Sequence, residues 1–304
     1  MLFTCLLAGL ALARSGRLPD NAHASLNAVI VHISLPALTL HYLHGFSFDA
    51  GHLAPVAMPW LLFALGALVF WGIGRALRLS RPTVGALTLV GGFGNTSFVG
   101  LPMIEALYGE SGLPLGLLID QLGSYLALST VGITVAAFYA GAQPGAALSF
   151  ASVARKVFTF PPFVAMVLAL ALVPVKFPEP VDLALARIGD TLAPLALLSV
   201  GLQLRFGALR RRFADVSVGL AYKLLVCPAL TVAVLWALDA GPGMASRVTL
   251  IESAMPPMIG AGIVATQAGL DNELVSLLIG IGIPLAFVTV PAWNWLYKSI
   301  TLAG

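Results

Sequence analysis

Charge is scarce in this chain. Lys, Arg, Asp and Glu make up 10% of its 304 residues, against about 25% in an ordinary soluble domain. That shortage excludes a water-soluble globular protein. Cysteine is scarcer still. Cys5 and Cys227 both fall in apolar runs, so neither a disulfide framework nor a cysteine metal site is expected. HExxH, a Walker loop and a GxSxG elbow are all missing, which removes the chemistries those motifs carry. No TVGYG-like filter occurs either, against a potassium channel. The net charge of +3 has no basic patch behind it, so no nucleic-acid partner is expected. No loop could hold a nucleotide-binding domain. No catalytic residue, metal site or cofactor is therefore expected, and an enzyme is the weakest reading.

What is abundant is apolar. Hydrophobic residues make up 59% of the chain and mean hydropathy is +0.96. The runs approach the ~20 residues that a spanning helix needs, and lack the short alternation of barrel strands. The expected partner is the lipid bilayer. The fold expected is an all-α polytopic membrane protein with ten spans: 1–13, 25–44, 55–75, 83–108, 112–140, 157–175, 183–204, 216–238, 246–269 and 273–297. The first is short, so it is either tilted and incomplete or preceded by residues upstream. Trp60, Trp71, Trp236, Trp293 and Trp295 lie mostly near span ends, as interface anchors do.

Basic residues set the orientation. The loops after spans one, three, five and seven hold 11 of the 16 Lys and Arg, including Arg14, Arg17, Arg155, Lys156 and the run Arg210-Arg211-Arg212. Positive-inside bias puts these loops in the cytoplasm and both termini outside. The loop after span nine is the exception, with Asp271, Glu273 and no basic residue.

An odd number of spans per half makes the halves insert with opposite orientation. Residues 1–140 would form one five-span repeat, 141–156 a cytoplasmic connector and 157–304 the second, inverted repeat. Weak internal similarity agrees: Leu35-Pro36-Ala37 matches Ala193-Pro194-Leu195, and Gly100 and Gly109 match Gly260 and Gly269 160 positions later.

Two segments interrupt a span in the same way. Residues 91–109 read GGFGNTSFVGLPMIEALYG and 251–269 read IESAMPPMIGAGIVATQAG. Unsatisfied backbone in lipid costs several kcal/mol per group, so such breaks survive only inside protein or beside a watery cavity. One broken segment per half is the best sequence pointer to a carrier's binding site. About 11 residues from Thr83 to Gly94 advance roughly 16 Å, half of a ~30 Å hydrocarbon core. The breaks thus fall near the midplane. If they cross, half-helix N-termini offer free N–H groups to an anion. Asn95, Thr96, Ser97 and Ser253 would add neutral polar groups. Pro102 suits a first helical turn, while Pro256 and Pro257 end or restart the second segment.

Ionisable groups at membrane depth are functional candidates by default. Asp120 and Gln121 lie well inside span five, and Asp120 reads equally as a proton site or a packing residue. Glu252 adjoins the second break. Lys223 is about seven residues into span eight and is expected to snorkel to the cytoplasmic surface. Asp190 is a weaker candidate; His32 and His41 read as structural or interfacial. Asp120, Gln121, Glu252 and Lys223 make up the expected coupling and polar support, with a proton or sodium as the coupling ion.

Gly94-Asn95-Thr96-Ser97-Phe98-Val99-Gly100-Leu101-Pro102, followed by Leu107-Tyr108-Gly109, resembles the auxin efflux carrier family, whose bacterial members include organic-acid carriers. Leu198–Leu204, Pro228 and Ala254-Met255-Pro256-Pro257 extend the resemblance over the whole chain. It implies a fold similar to bile acid/sodium symporters: crossing broken helices in a transport domain, a scaffold domain, elevator-like alternating access and a homodimer. It also implies that Asn95 meets a substrate carboxylate. The second break has Ser253 where the family's plant members place other polar groups, and their long cytoplasmic loop is absent. The function expected is a secondary carrier of a small organic anion, malonate-like, in a bacterial-type inner membrane. The alternatives are a sodium-coupled bile-acid-like symporter, a membrane sensor or partner subunit without flux, and a channel.

Overall fold

The computed structural model describes residues 1–19, 21–141, 150–204 and 209–302. Residues 142–149, half of the 141–156 connector, and 205–208, which include Arg205, lie outside the described residues. Among the described residues the regular structure is all helical, and the one extended contact is an isolated antiparallel bridge between Gly94 and Pro257.

Among the described residues six helices are long and apolar enough to cross a membrane: Ala22–Leu43, Ala50–Ala76, Glu110–Tyr139, Glu179–Gln203, Arg211–Ala237 and Asn272–Thr301. In chain order the elements are α1 (Leu2–Arg14), α2 (Ala22–Leu43), α3 (Ala50–Ala76), α4 (Arg81–Ala86, running on through Leu87–Gly91), α5 (Thr96–Gly100, running on through Leu101–Tyr108) and α6 (Glu110–Tyr139). Then follow α7 (Phe150–Phe158), α8 (Pro161–Ala171), α9 (Glu179–Gly189) and α10 (Leu192–Gln203). The last are α11 (Leu209–Ala221, continued by Tyr222–Val226 and Cys227–Ala237), α12 (Met244–Ser253), α13 (Ile259–Gln267) and α14 (Asn272–Leu302). The two interrupted segments of the sequence are the short pairs α4/α5 and α12/α13.

The helices sort into two sets by packing. α1, α2, α8, α9 and α10 pack chiefly on one another. α3 to α6 and α11 to α14 make up the second set, which includes both broken pairs. The sets meet where α5 lies on α10 and where α2 lies on α6. In the first set α1 runs against α10 so closely that glycine is required on both sides. A Cβ at Gly9 would collide with the Leu198 carbonyl oxygen, and one at Gly201 with that of Leu6. Overpacking of this kind costs about 1–3 kcal/mol. Gly201→Ala is therefore expected to lower the unfolding temperature in detergent, while Gly72→Ala, where a Cβ would meet nothing, leaves it unchanged. Equal melting of parent and Gly201→Ala would refute the tight contact.

Proline shapes the second recurring feature. Wide, π-helical turns at Ile30–Ser34, Thr96–Gly100 and Tyr222–Val226 each end two residues before a proline: Pro36, Pro102 and Pro228. A proline ring clashes with the carbonyl four residues back and removes an N–H, and a locally wider turn absorbs both effects. Indoles donate to carbonyls in two wide turns, Ile119–Tyr125, which no proline follows, and Tyr222–Val226. Trp60 Nε1 donates to the Leu122 carbonyl at 3.0 Å and Trp293 Nε1 to that of Leu224 at 2.9 Å. These two tryptophans therefore bond inward to backbone, where the sequence alone suggested interface anchors.

The anomalous acidic loop after span nine is accounted for by one contact. The Arg212 guanidinium donates to the Asp271 carboxylate. The Thr83 hydroxyl donates to the same carboxylate at 2.8 Å, and its other oxygen accepts from Leu274 N at 3.2 Å. Asp271 thus neutralises part of the basic cluster and ties the starts of α4, α11 and α14 together.

Candidate functional site at the helix crossing

The two broken segments meet through their backbones. Asn95 N donates to the Pro256 carbonyl at 2.8 Å, and Met258 N donates to the Phe93 carbonyl at 3.1 Å. This is a short antiparallel exchange between residues more than 160 apart in sequence. It satisfies backbone groups that the breaks expose, which is the condition for irregular chain at membrane depth. The local sequence explains why the chain opens here. Asn95 caps α5: its Oδ1 accepts from Phe98 N at 3.2 Å. Pro102 occupies the first turn of Leu101–Tyr108, where a missing N–H is harmless. Pro256 and Pro257 leave the stretch between Ser253 and Ile259 extended, and the Pro257 ring sits against Gly282 of α14.

Around this exchange the polar side chains gather. Thr96 and Ser97 hydroxyls both donate to Asp120 Oδ1 at 2.5 Å, and Gln121 Nε2 donates to Oδ2 at 2.8 Å. Asp120 is 1% exposed. With three donors on its two oxygens, it anchors the start of α5 to α6. Thr96, Ser97, Asp120 and Gln121 thus form one group, from which only Gln121 Oε1 is left without a partner. Two of its neighbours are open. Asn95 Nδ2 is buried without a hydrogen-bond partner, and so are both oxygens of Glu252.

Glu252 is 3% exposed. Glycine makes its room: a Cβ at Gly100 would lie 2.5 Å from Oε2, and one at Gly116 3.4 Å from Oε1. Sequence reasoning missed these two glycines as site residues. The signal was present in the Gly94–Gly100 spacing, which puts the second glycine just inside α5.

Lys223 corrects an expectation. It does not snorkel to the membrane surface. It is 2% exposed, and its Nζ donates to the Ser253 carbonyl at 3.0 Å, close above Gly94. The wide turn Tyr222–Val226 sets the side chain's direction, and α12 ends at Ser253 with carbonyls that have no helical partner. A cation there complements the negative end of a helix. An amine side chain therefore stands at the crossing, beside the helix ends and the neutral polar groups expected there. Ser253's own hydroxyl is spent on the Leu250 carbonyl at 2.7 Å. Lys223→Met would remove both the cap and the charge. It is expected to weaken anion binding to the purified protein by about tenfold, the low end for a lost bond to a charged group. Unchanged affinity would reduce Lys223 to a helix cap.

Of the sequence candidates, Asn95, Thr96, Ser97, Asp120, Gln121, Glu252, Ser253, Pro256, Pro257 and Lys223 converge at the crossing. Pro102 is buried in the wall of α5, without a polar contact. Asp190 lies far along the first helix set, at the joint between α9 and α10. His41 Nδ1 meets Asp182 Oδ1 at 2.7 Å, tying α2 to α9. The crossing encloses a cavity of about 10 Å³, lined by Gly94, Thr96, Lys223, Glu252 and Ser253 among others. That is room for about one water. Chemically, the site offers an unpaired amide donor, a buried lysine amine, helix N-termini and an unpartnered carboxyl group. No group of three or more His, Cys, Asp or Glu able to hold a metal ion occurs among the described residues.

Comparison with known proteins agrees with a transport role. The family model described as membrane transport protein matches residues 1–294. A Methanothermobacter thermautotrophicus protein named an uncharacterized transporter is 26% identical, covering 95% of this chain and 93% of its own length. An uncharacterized transporter of Methanocaldococcus jannaschii is 25% identical, covering 92% of each chain. A Rhizobium meliloti protein carrying the name "putative malonate transporter" is 25% identical over 92% of this chain and 89% of its own.

Proposed function

This chain belongs to the membrane transport protein family, that of the auxin efflux carriers, and on that premise we propose that it is a secondary active carrier of a small organic anion. It is a multi-pass membrane transporter and not an enzyme. The carboxylate class is the proposal's own step. The observation that carries it is the unpaired Asn95 amide beside the buried Lys223 amine at the exchange between α4/α5 and α12/α13. The Asn95 donor has no acceptor and the Lys223 amine stands at the same crossing, where Glu252 is already a carboxyl group without a hydrogen bond; a substrate carboxylate would give the Asn95 donor its acceptor. The name of the Rhizobium meliloti relative points to the same substrate class.

In this reading the ten segments form two inverted five-helix repeats, with both termini outside a bacterial-type inner membrane. The set containing α1, α2 and α8–α10 is the scaffold and the dimer-forming part. The set containing the crossing moves against it in elevator fashion. Glu252 supplies the coupling. A carboxyl group buried without partners is costly when charged, so the position calls for a proton or a cation when the carrier crosses the membrane. Sodium coupling is the second reading, and the same two unpartnered oxygens favour it.

The test is purified protein in liposomes, screened with labelled mono- and dicarboxylates under imposed proton, sodium and voltage gradients. Saturable counterflow is expected. Flux that rises linearly without counterflow would indicate a channel. No flux for any acid would leave a sensor or partner subunit.

A further inference from the structure

Outside the Arg-rich loops and the crossing the basic residues are Lys176, Arg187, Arg247 and Lys298. Two of these, on different helices, meet at Tyr108, the last residue of α5. Lys298 of α14 holds its Nζ 5.6 Å from the centre of the Tyr108 ring. Arg247 of α12 lies within electrostatic reach of the Tyr108 hydroxyl. That hydroxyl donates to Asn294 Oδ1 at 2.7 Å, and Asn294 is one turn before Lys298 on the same face of α14. Tyr297 ties this end of α14 to the turn before α12, its hydroxyl donating to the Gly241 carbonyl at 3.2 Å. α5 advances about 18 Å from Thr96 to Tyr108 at the helical rise, so the cluster stands apart from the crossing.

The donors of this cluster have no acceptor. Arg247 Nε is buried without a hydrogen-bond partner. Asn294 is 8% exposed; with its oxygen committed to Tyr108, its Nδ2 bonds to no described residue. Neither Arg247 nor Lys298 forms a salt bridge with a described carboxylate. Glu110, two residues after Tyr108, lies toward Tyr42 of α2 instead. Arg247 also stands at the end of the first turn of α12, whose cap Gly243 supplies no side-chain bond. The positive end of a helix disfavours a cation and favours an anion. Two half-buried cations and an amide, converging without a counter-charge, therefore call for an anion. Depth narrows the choice. Trp295, one turn from Lys298, is exposed, and so is Trp236 at the end of α11; exposed indoles mark the headgroup level of a bilayer. The abundant anion at that level is the phosphate of a phospholipid, whose oxygens suit several charge-assisted donors.

We propose that Arg247, Asn294 and Lys298 form a phosphate site, filled by the headgroup of an anionic phospholipid in the leaflet opposite the Arg-rich loops. Arg247 Nε and Asn294 Nδ2 donate to phosphate oxygens, and the Lys298 ammonium supplies the second positive charge. The site bridges the end of α5, the start of α12 and the end of α14. Its occupant thus holds together the two broken pairs at the ends away from their crossing. The inference does not depend on which anion is carried.

The test is the unfolding temperature of purified protein in detergent, with a short-chain phosphatidylglycerol or inorganic phosphate added. Phosphatidylglycerol is expected to raise it by several degrees in the parent, as a ligand of the folded state does. Asn294→Asp is expected to abolish the rise: an aspartate oxygen still accepts from Tyr108, but a carboxylate then faces the phosphate. Lys298→Gln, at a half-exposed position, is expected to raise the lipid concentration for half the effect by about tenfold. It keeps the test open should Asn294→Asp fold poorly. Lys176→Gln, an exposed cation elsewhere, is expected to change nothing. An equal rise with inorganic phosphate, lost in the same variants, would assign the site to free phosphate. A rise that survives in Asn294→Asp and Lys298→Gln, or that Lys176→Gln lowers as much, would overturn the site and leave only general attraction of charge. No rise with either phosphate compound would overturn it as well.

Discussion

Asn95→Asp is expected to raise the half-saturation concentration for the carried anion by at least about 10- to 150-fold, with the helix cap kept and some melting temperature lost to the buried carboxyl group. The variant is chosen for what it keeps. Asn95 Oδ1 caps α5 through Phe98 N, and an aspartate oxygen does the same. Removing the cap altogether, as in Asn95→Ala, would add a loss of about 1 kcal/mol unrelated to substrate. What Asn95→Asp removes is Nδ2, the buried donor without a partner. A hydrogen bond to a charged group contributes about 1.5–3 kcal/mol, which converts to the range given. Equilibrium binding of the labelled acid to purified protein checks it. Parent-like affinity would move the substrate away from the crossing.

Glu252→Gln is expected to keep counterflow and lose accumulation. With one proton moving per anion and no membrane potential, a parent carrier concentrates its substrate about tenfold for each unit of pH difference, because a unit is 1.36 kcal/mol. A tenfold sodium gradient does the same in the sodium reading. Glutamine fills the space beside Gly100 and Gly116 but neither takes up a proton nor offers a charge to a cation. The accumulation ratio should fall to about one, while exchange of labelled for unlabelled anion continues. Undiminished accumulation would place the coupling elsewhere. Asp120→Asn then becomes the next variant, although the three donors on Asp120 fit an anchor better than a carrier of protons. A loss of both exchange and accumulation, with normal melting, would make Glu252 part of the substrate path.

The sequence exposes the crossing because glycine, proline and asparagine are conspicuous in an apolar run. Gly94-Asn95-Thr96-Ser97 and Met255-Pro256-Pro257 cannot continue a spanning helix, so the breaks could be placed to within a few residues. The exchange between Asn95 and Pro256 left no such trace, since backbone pairing needs no particular side chain. Lys223 was misread for a related reason. Its distance from the span end predicts snorkelling, but side-chain direction depends on the wide turn before Pro228. A proline five residues on was the available signal. The acidic loop at Asp271 looked like a breach of the orientation rule until Arg212 was seen across from it, a contact made over a long separation in the chain. The long apolar helices were plain from hydropathy. The halves of the broken pairs are individually too short to read as spans, and so are Leu2–Arg14 and Pro161–Ala171, so a count of ten crossings rests on these four places and not on the six long helices.

The backbone exchange at the crossing also bears on how such proteins diversify. The bonds from Asn95 N to Pro256 O and from Met258 N to Phe93 O use main-chain atoms alone. Substitution of neighbouring side chains leaves them in place, provided no proline is put at 95 or 258. The positions that face a cargo are therefore uncoupled from those that hold the two half-helix pairs together. A lineage can replace Lys223 or Glu252 while these two backbone bonds persist, and so alter its cargo by a few substitutions. On this account, relatives sharing about a quarter of their residues can keep one architecture while their cargo-facing positions diverge, so a shared family is a weak guide to the substrate.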